Sequence, residues 1–208
     1  MERKFKILRL VLGSYATNCY IIFTDDEAVI IDPAAESNKI IKAIEDNNLK
    51  PSKILLTHAH PDHFGALEEI RDKYKIDAYV CKNDEEMLEK RSRDLKKMLG
   101  MDSYIKADQY YSEGDAISFS GGDIKVIETP GHTPGGVCLM IDDILISGDT
   151  LFYRSIGRTD LPGGDYDVLM ESLEKLTKLD DGVIVLPGHG QETQIGFEKA
   201  YNPFLQQL

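Results

Sequence analysis

An α/β or α+β layered domain, with β-sheets covered by helices, is the fold class this sequence predicts, and three observations carry it. Short apolar runs alternate with stretches whose apolar residues recur at helical spacing, and no low-complexity segment or linker interrupts them. Pairs of Gly and Asp punctuate the boundaries between runs. With 208 residues, 42% of them hydrophobic and 29% charged, the chain can bury roughly 70% of its unfolded surface, so no disulfide or metal is needed to hold a core. Residues 1–208 are read as one domain.

Taken in order, Phe5–Leu12, Cys19–Phe23 and Ala28–Ile31 read as three strands, with turns at Gly13-Ser14 and Asp25-Asp26. Ser37–Asn48 carries Ile40, Ile41 and Ile44 at helical spacing, and Glu36-Ser37 suits its start. Lys53–Leu56 is a strand and Gly65–Tyr74 a helix through Leu67, Ile70 and Tyr74. The charged stretch Asn83–Leu99 is helical with a break expected near Ser92. Asp115–Ser120 and Asp123–Glu128 flank Gly121-Gly122 as a hairpin, and Val137–Ile141 and Ile144–Ser147 flank Asp142-Asp143 as another. Asp165 caps a helix to Leu179 whose Leu169, Leu173 and Leu176 share one face. Val183–Leu186 is a last strand, and Phe197–Leu205 a closing helix.

A net charge of −12 excludes nucleic-acid phosphate as the main partner, because phosphate binding needs a basic footprint. Cys19, Cys81 and Cys138 are odd in number and widely spaced, which fits buried thiols in a reducing compartment. The start MERKFKILRLVLG has charges threaded through it and reads as a strand, not a signal peptide. No run approaches a membrane span. The expectation is a cytoplasmic protein with no membrane partner.

All five histidines fall in one pattern. His58, His60 and His63 lie in Thr57-His58-Ala59-His60-Pro61-Asp62-His63. His132 ends Thr129-Pro130-Gly131-His132, His189 ends Leu186-Pro187-Gly188-His189, and Asp149 sits in Ser147-Gly148-Asp149-Thr150. Neutral imidazole is the commonest metal ligand, and five imidazoles with the Asp62 and Asp149 carboxylates exceed what one tetrahedral ion can use. They suit two adjacent ions and hence a hydrolytic two-metal centre. Each of these segments follows an apolar strand-like run, so loops at strand ends can bring them to one sheet edge. His58 and His60, two apart on an extended segment, would point the same way. Gly131 and Gly188 would remove bulk where backbone must approach the metals.

The run His58-Ala59-His60-Pro61-Asp62-His63, followed in order by His132, Asp149 and His189, resembles the H-x-H-x-D-H signature of the metallo-β-lactamase-fold superfamily, over nearly the whole chain. The resemblance implies a four-layer αβ/βα sandwich of two mixed sheets flanked by helices, with the site at its edge. It assigns His58, His60 and His132 to one metal and Asp62, His63 and His189 to the other, with Asp149 bridging and Asp62 in a catalytic role, orienting the attacking hydroxide. Two divalent ions are implied, zinc by default, with iron or manganese as alternatives.

Within the superfamily, Gly148-Asp149-Thr150-Leu151-Phe152 and the run Ser155 to Gly164 look like the short bacterial members of the glyoxalase II-like group, which hydrolyse hydroxyacylglutathione-type thioesters. A small-molecule thioester is the implied substrate. Flavoprotein oxygen reductases place a Glu where this chain has His60, and true β-lactamases lack a bridging Asp. Classical glyoxalase II enzymes add a C-terminal helical glutathione-binding domain, which is not expected in the short stretch after His189. They also grip the thiol carrier with Lys and Tyr near the position of Arg158-Thr159-Asp160. Arg158 is therefore a candidate substrate-binding residue, against the plainer role of a solvated salt bridge. Tyr153 is a second candidate, against a packing role with a polar tip. Gly157-Arg158-Thr159-Asp160 also resembles a run in persulfide dioxygenases, which hold a single iron by two His and one Asp. That leaves a mononuclear iron dioxygenase, or a lactone or ester hydrolase, as alternatives.

Overall fold

A computed structural model describes residues 3–208 as two stacked mixed sheets with helices on both outer faces. The first sheet runs in chain order through β1 (Lys6–Leu12), β2 (Thr17–Phe23), β3 (Ala28–Ile31), β4 (Pro51–Leu55), β5 (Asp77–Cys81) and β6 (Gln109–Tyr111). Its first two pairings are antiparallel, and β3 to β6 are parallel. Helices α1 (Ser37–Asp46), α2 (Pro61–Phe64), α3 (Leu67–Tyr74) and α4 (Glu85–Met98) supply the crossovers that parallel pairing demands. The second sheet holds β7 (Ala116–Phe119), β8 (Gly122–Glu128), β9 (Val137–Ile141), β10 (Ile144–Gly148), β13 (Ile184–Pro187) and β14 (Thr193–Gln194), in the order β14-β13-β10-β9-β8-β7. Between β10 and β13 come a small hairpin, β11 (Leu151–Phe152) with β12 (Ser155–Ile156), and α5 (Tyr166–Thr177); α6 (Ile195–Tyr201) follows β14.

The period of two along each strand builds the layers. Tyr20, Ile22, Val29, Ile31 and Leu55 face Val126, Leu139, Ile144, Ile146 and Leu186 across the inter-sheet core. Their alternates Ile21, Ile30 and Ile54 pack on Ile40 and Ile44 of α1 and Leu67 and Ile70 of α3. On the other side Cys138, Leu145 and Val185 meet Leu169, Leu173 and Leu176 of α5. The expected four-layer sandwich is what these faces form. All three cysteines are buried and unbridged, and no helix among the described residues is long and apolar enough to cross a membrane.

Several elements differ from their sequence reading. The helix expected from Gly65 begins at Leu67, after the separate one-turn α2 that contains Asp62 and His63. No break occurs at Ser92: its buried hydroxyl donates to Glu89 O at 3.1 Å and accepts from Ile105 N at 2.8 Å, so α4 runs through it. The first hairpin turns at Ser120-Gly121, one residue early, with Phe119 paired to Gly122. The closing helix shifts to Ile195–Tyr201, followed by a 3₁₀ turn over Leu205–Gln207. Strands β5 and β6 had no counterpart in the sequence reading. Asp165 does cap α5, accepting from Val168 N at 3.1 Å.

Strand direction places the site. Both β8 and β10 are antiparallel to β9, and β10 is parallel to β13, so all three end on one edge. Parallel β3 and β4 end together in the other sheet. Cross-sheet bonds from Val137 N to Thr57 O (2.9 Å) and from Asn18 N to Gly188 O (2.7 Å) join the two edges there.

Candidate metal centre

The segments at these strand ends bring all five histidines, Asp62 and Asp149 into one cluster. Donor atoms of His58, His60 and His132 lie within 4.8 Å of one another, as do those of Asp62, His63 and His189. Asp149 stands between the groups: Oδ1 is 3.4 Å from His63 Nε2, and Oδ2 is 3.5 Å from both His132 Nε2 and His189 Nε2. The His58 and His60 rings, expected to point the same way, sit 4.9 Å apart edge to face.

Four of the five imidazoles have their protonation fixed by their outer neighbours. His132 Nδ1 donates to Arg158 O at 2.7 Å and His189 Nδ1 to Tyr15 O at 3.0 Å, since a carbonyl can only accept. His63 Nδ1 donates to Asp32 Oδ2 at 2.9 Å. Thr57 Oγ1 gives its own proton to Asp32 Oδ2 at 2.6 Å, so it accepts from His58 Nδ1 at 3.1 Å. In each neutral ring the remaining Nε2 is then a lone pair aimed into the cluster. His60 completes the first group with Nδ1 2.8 Å from His132 Nε2.

Burial and charge set the electrostatics. Burial, reinforced by the neighbouring imidazoles, pushes His58 well below the ordinary histidine range and His60 down to about 4, so both stay neutral. Burial acts in the same sense on His189, but its hydrogen bonds to Asp149 and Asp62 prevail and push it up to about 9. His63 is likewise raised against its burial, by Asp149 and Asp32. Asp149 and Asp62 are both lowered against burial, chiefly by His63 for Asp149 and by the His189 hydrogen bond for Asp62.

The cluster fits divalent cations. His58 Nε2, His60 Nε2 and Asp149 Oδ1 are buried with no hydrogen-bond partner among the described residues, an expensive state for polar atoms that lack a ligand. His63 Nε2 and His189 Nε2 meet at 3.4 Å. Lone pairs facing each other and a carboxylate require protons or cations between them.

Two buried carboxylates missing from the sequence reading organise this cluster. Asp32, left-handed at φ 50° at the end of β3, also accepts from Thr57 N at 2.7 Å and so orients both His63 and His58. Its position after an apolar strand is the signal that could have found it. Asp84, just before α4, accepts from Ala59 N at 2.8 Å, Thr133 Oγ1 at 2.9 Å and Gly135 N at 2.6 Å. It thereby ties the His58–His60 segment to the His132 loop. Burial pushes its pKa up, and the three donors offset that in part. Asn18 and Tyr20 also gain a role: Asn18 Nδ2 and Tyr20 Oη both donate to Pro187 O at 2.8 Å, which steadies the loop bearing His189.

The two glycines expected to clear room at the metals divide. At Gly188 a Cβ would overlap Asp149 Oδ1, as expected. At Gly131 it would instead overlap the Leu169 backbone, and φ is +126°, so this glycine serves the packing of α5. The side chains of both substrate-binding candidates engage other residues. The Arg158 guanidinium makes a two-pronged pair with Asp160 at 2.7 Å, both exposed, and only its backbone oxygen reaches the cluster. Tyr153 stacks on Phe197 at 5.2 Å; the aromatic ring beside the cluster is Phe152, 6.2 Å from His189.

Residues 12–189 match the family description Metallo-beta-lactamase superfamily. The chain is 41% identical to a protein named probable metallo-hydrolase YqgX of Bacillus subtilis, over 95% of this chain and 96% of that one. It is 34% identical to hydroxyacylglutathione hydrolase GloC of Haemophilus influenzae, over 92% and 94%. Among solved structures, BLEG-1, titled a B3 metallo-beta-lactamase, superposes with TM-score 0.88 at 37% identity, covering 96% and 99%. TTHA1623, in a di-iron-bound form, does so with TM-score 0.84 at 34% identity, covering 95% and 100%.

Proposed function

The chain belongs to the metallo-beta-lactamase superfamily, and from that premise we propose that it is a binuclear metal-dependent hydrolase of small thioesters of the hydroxyacylglutathione type. One observation carries the reading: four imidazoles with their outer nitrogens hydrogen-bonded turn their inner nitrogens towards Asp149, whose two oxygens reach histidines of both groups. A single-iron dioxygenase needs only two His and one Asp, whereas here both groups have a full donor set. His58, His60 and His132 would hold one ion, Asp62, His63 and His189 the other, with Asp149 shared. Zinc is the default; the di-iron form of TTHA1623 supports iron as an alternative. Such ions lower the pKa of a water towards ~7 and polarise a carbonyl.

The chain's own residues do the rest. Asp62 keeps its carboxylate ionised and partly exposed, with Oδ2 3.2 Å from Thr17 Oγ1, so it can orient the attacking water and take up its proton. His58 and His63 are sealed, while the side chains of His189 and Asp62 are 28% and 24% exposed, so substrate enters on their side. Phe152 forms an apolar wall there. The GloC relative supports the thioester; the buried free thiols support a cytoplasmic setting.

The BLEG-1 likeness favours a second reading, β-lactam hydrolysis. A panel of S-lactoylglutathione, a chromogenic cephalosporin, a lactone and glutathione persulfide separates the possibilities for metal-loaded protein. Thioester turnover lost on chelation is expected. Faster turnover of the cephalosporin or lactone, or oxygen uptake with the persulfide, would replace the proposal.

A further inference from the structure

Helix α6 carries a buried carboxylate that the hydrolytic chemistry does not use. Glu198 is fully buried and pairs with no cation among the described residues. Its oxygens accept instead from three neutral donors: Thr193 Oγ1 at 2.6 Å on one, and Asn202 Nδ2 at 2.8 Å and Arg154 N at 2.9 Å on the other. Asn202, also fully buried, donates to Ser155 O at 3.1 Å. On the outside the Tyr153 ring stacks on Phe197 of the same helix at 5.2 Å. All of the contacts to the hairpin fall on Tyr153, Arg154 and Ser155, the turn between β11 and β12.

That turn needs holding. With Phe152 paired to Ser155, its two central residues are Tyr153 and Arg154. Arg154 is left-handed at φ +54°, and Tyr153 does not share the positive φ. The turn is therefore neither of the two types that suit strand twist, since both need a positive φ at the first central residue. Strained backbone of this kind persists where its surroundings over-determine it, and an isolated two-stranded hairpin has little stability of its own. The base of the hairpin is anchored without α6: Ser147 Oγ donates to Leu151 O at 2.8 Å, and Gly157 N to Thr150 O at 3.2 Å. Asp149 before the hairpin and Arg158 O after it are thus independent of the clamp. What depends on it is the tip, and with it Phe152, the ring 6.2 Å from His189.

We infer that Glu198 and Asn202 are positioning residues for the substrate: from α6 they fix the hairpin turn and so hold Phe152 at the His189 side, by which substrate enters. A carboxylate buried without a cation is costly unless its hydrogen bonds are complete, and here they are completed by the turn that the site requires. The substrate part rests on the hydrolase reading above and deepens it.

The chain has no tryptophan, so Phe152→Trp places a single fluorescent reporter at this wall. In that background Glu198→Ala is expected to raise acrylamide quenching about twofold or more, because the turn loosens while the base of the hairpin stays. Glu198→Gln should track its parent: the new amide oxygen can accept from Arg154 N and Asn202 Nδ2, and the amide nitrogen can donate to Thr193 Oγ1. Ile44→Ala, a packing loss in the other helix layer, should lower the melting temperature without raising the quenching. With Phe152 in place, Glu198→Ala should raise KM for S-lactoylglutathione roughly threefold or more and leave kcat and bound metal nearly unchanged. Should Glu198→Ala not fold, Asn202→Ser takes its place, since it shortens the arm to Ser155 and keeps an acceptor for Phe204 N. Unaltered quenching, an equal rise in Ile44→Ala or Glu198→Gln, an unaltered KM, or metal lost in parallel with turnover would overturn the inference. If wild type hydrolyses no thioester, the hydrolase reading fails instead, and the quenching alone decides whether α6 positions Phe152.

Discussion

Asp149 presents two oxygens to three imidazoles, one from the first donor group and two from the second. Asp149→Ala is therefore expected to lower bound metal from two ions towards one and to cut turnover by more than about a hundredfold, beyond what losing an outer neighbour of a ligand costs. Metal analysis beside thioester kinetics checks this; two ions and near-normal turnover would remove the bridging assignment. Asp84 acts one step further out, through Ala59, Thr133 and Gly135. In Asp84→Asn one acceptor oxygen becomes a donor facing amide N–H groups, so affinity for the first ion should fall roughly 10- to 100-fold in chelator competition. A loss of thermal stability with unaltered metal affinity would make Asp84 a packing residue only. The histidines were legible in the sequence because metal chemistry demands particular side chains in particular order. Asp32 follows an apolar strand as the ligand segments do and could have been found by that, whereas Asp84 was not legible, because its partners Ala59, Thr133 and Gly135 lie 25, 49 and 51 positions away.

Among the elements, the strands rich in Ile, Leu and Val were readable, whereas β5 and β6 were not. Asp77–Cys81 starts on an exposed Asp and has a half-buried Tyr79 at its centre, and Gln109–Tyr111 has three residues, too few to establish a period. Their parallel pairing is decided by long-range contacts, β5 with β4 and β6 with β5. Ser92 misled for a related reason: a residue that favours turns was kept in α4 by a partner thirteen positions away, Ile105 N. The contact of Gly131 with α5 was equally non-local. Gly131→Ala combines a left-side φ of +126° with overlap on the Leu169 backbone. It should cost on the order of 1–3 kcal/mol in denaturant unfolding. An unaltered midpoint would mean that α5 can move away at no cost.

At the scale of the molecule, two sheets present their strand ends on one edge, and the cluster of titratable side chains there ties the stability of metal-free protein to pH. His189, raised to about 9, and the raised His63 contribute stability that is complete below the unfolded value of about 6.5 and is lost as pH rises, for His189 through about 9. His58 and His60, lowered, contribute stability that is complete above about 6.5 and is lost as pH falls, for His60 down to about 4. Thermal unfolding of metal-free protein should peak near pH 6.5, and metal should flatten the alkaline limb by replacing the protons on His63 and His189. Stability that climbs steadily to pH 9 without metal would contradict the assigned protonation.

The central claim, that two ions together make the hydrolytic site, is tested most directly by adding zinc stepwise to metal-free protein while S-lactoylglutathione turnover is recorded. The account expects turnover to stay low through the first equivalent, rise across the second, and level off at two ions per chain. Full turnover at one equivalent, or none at any loading, would contradict it.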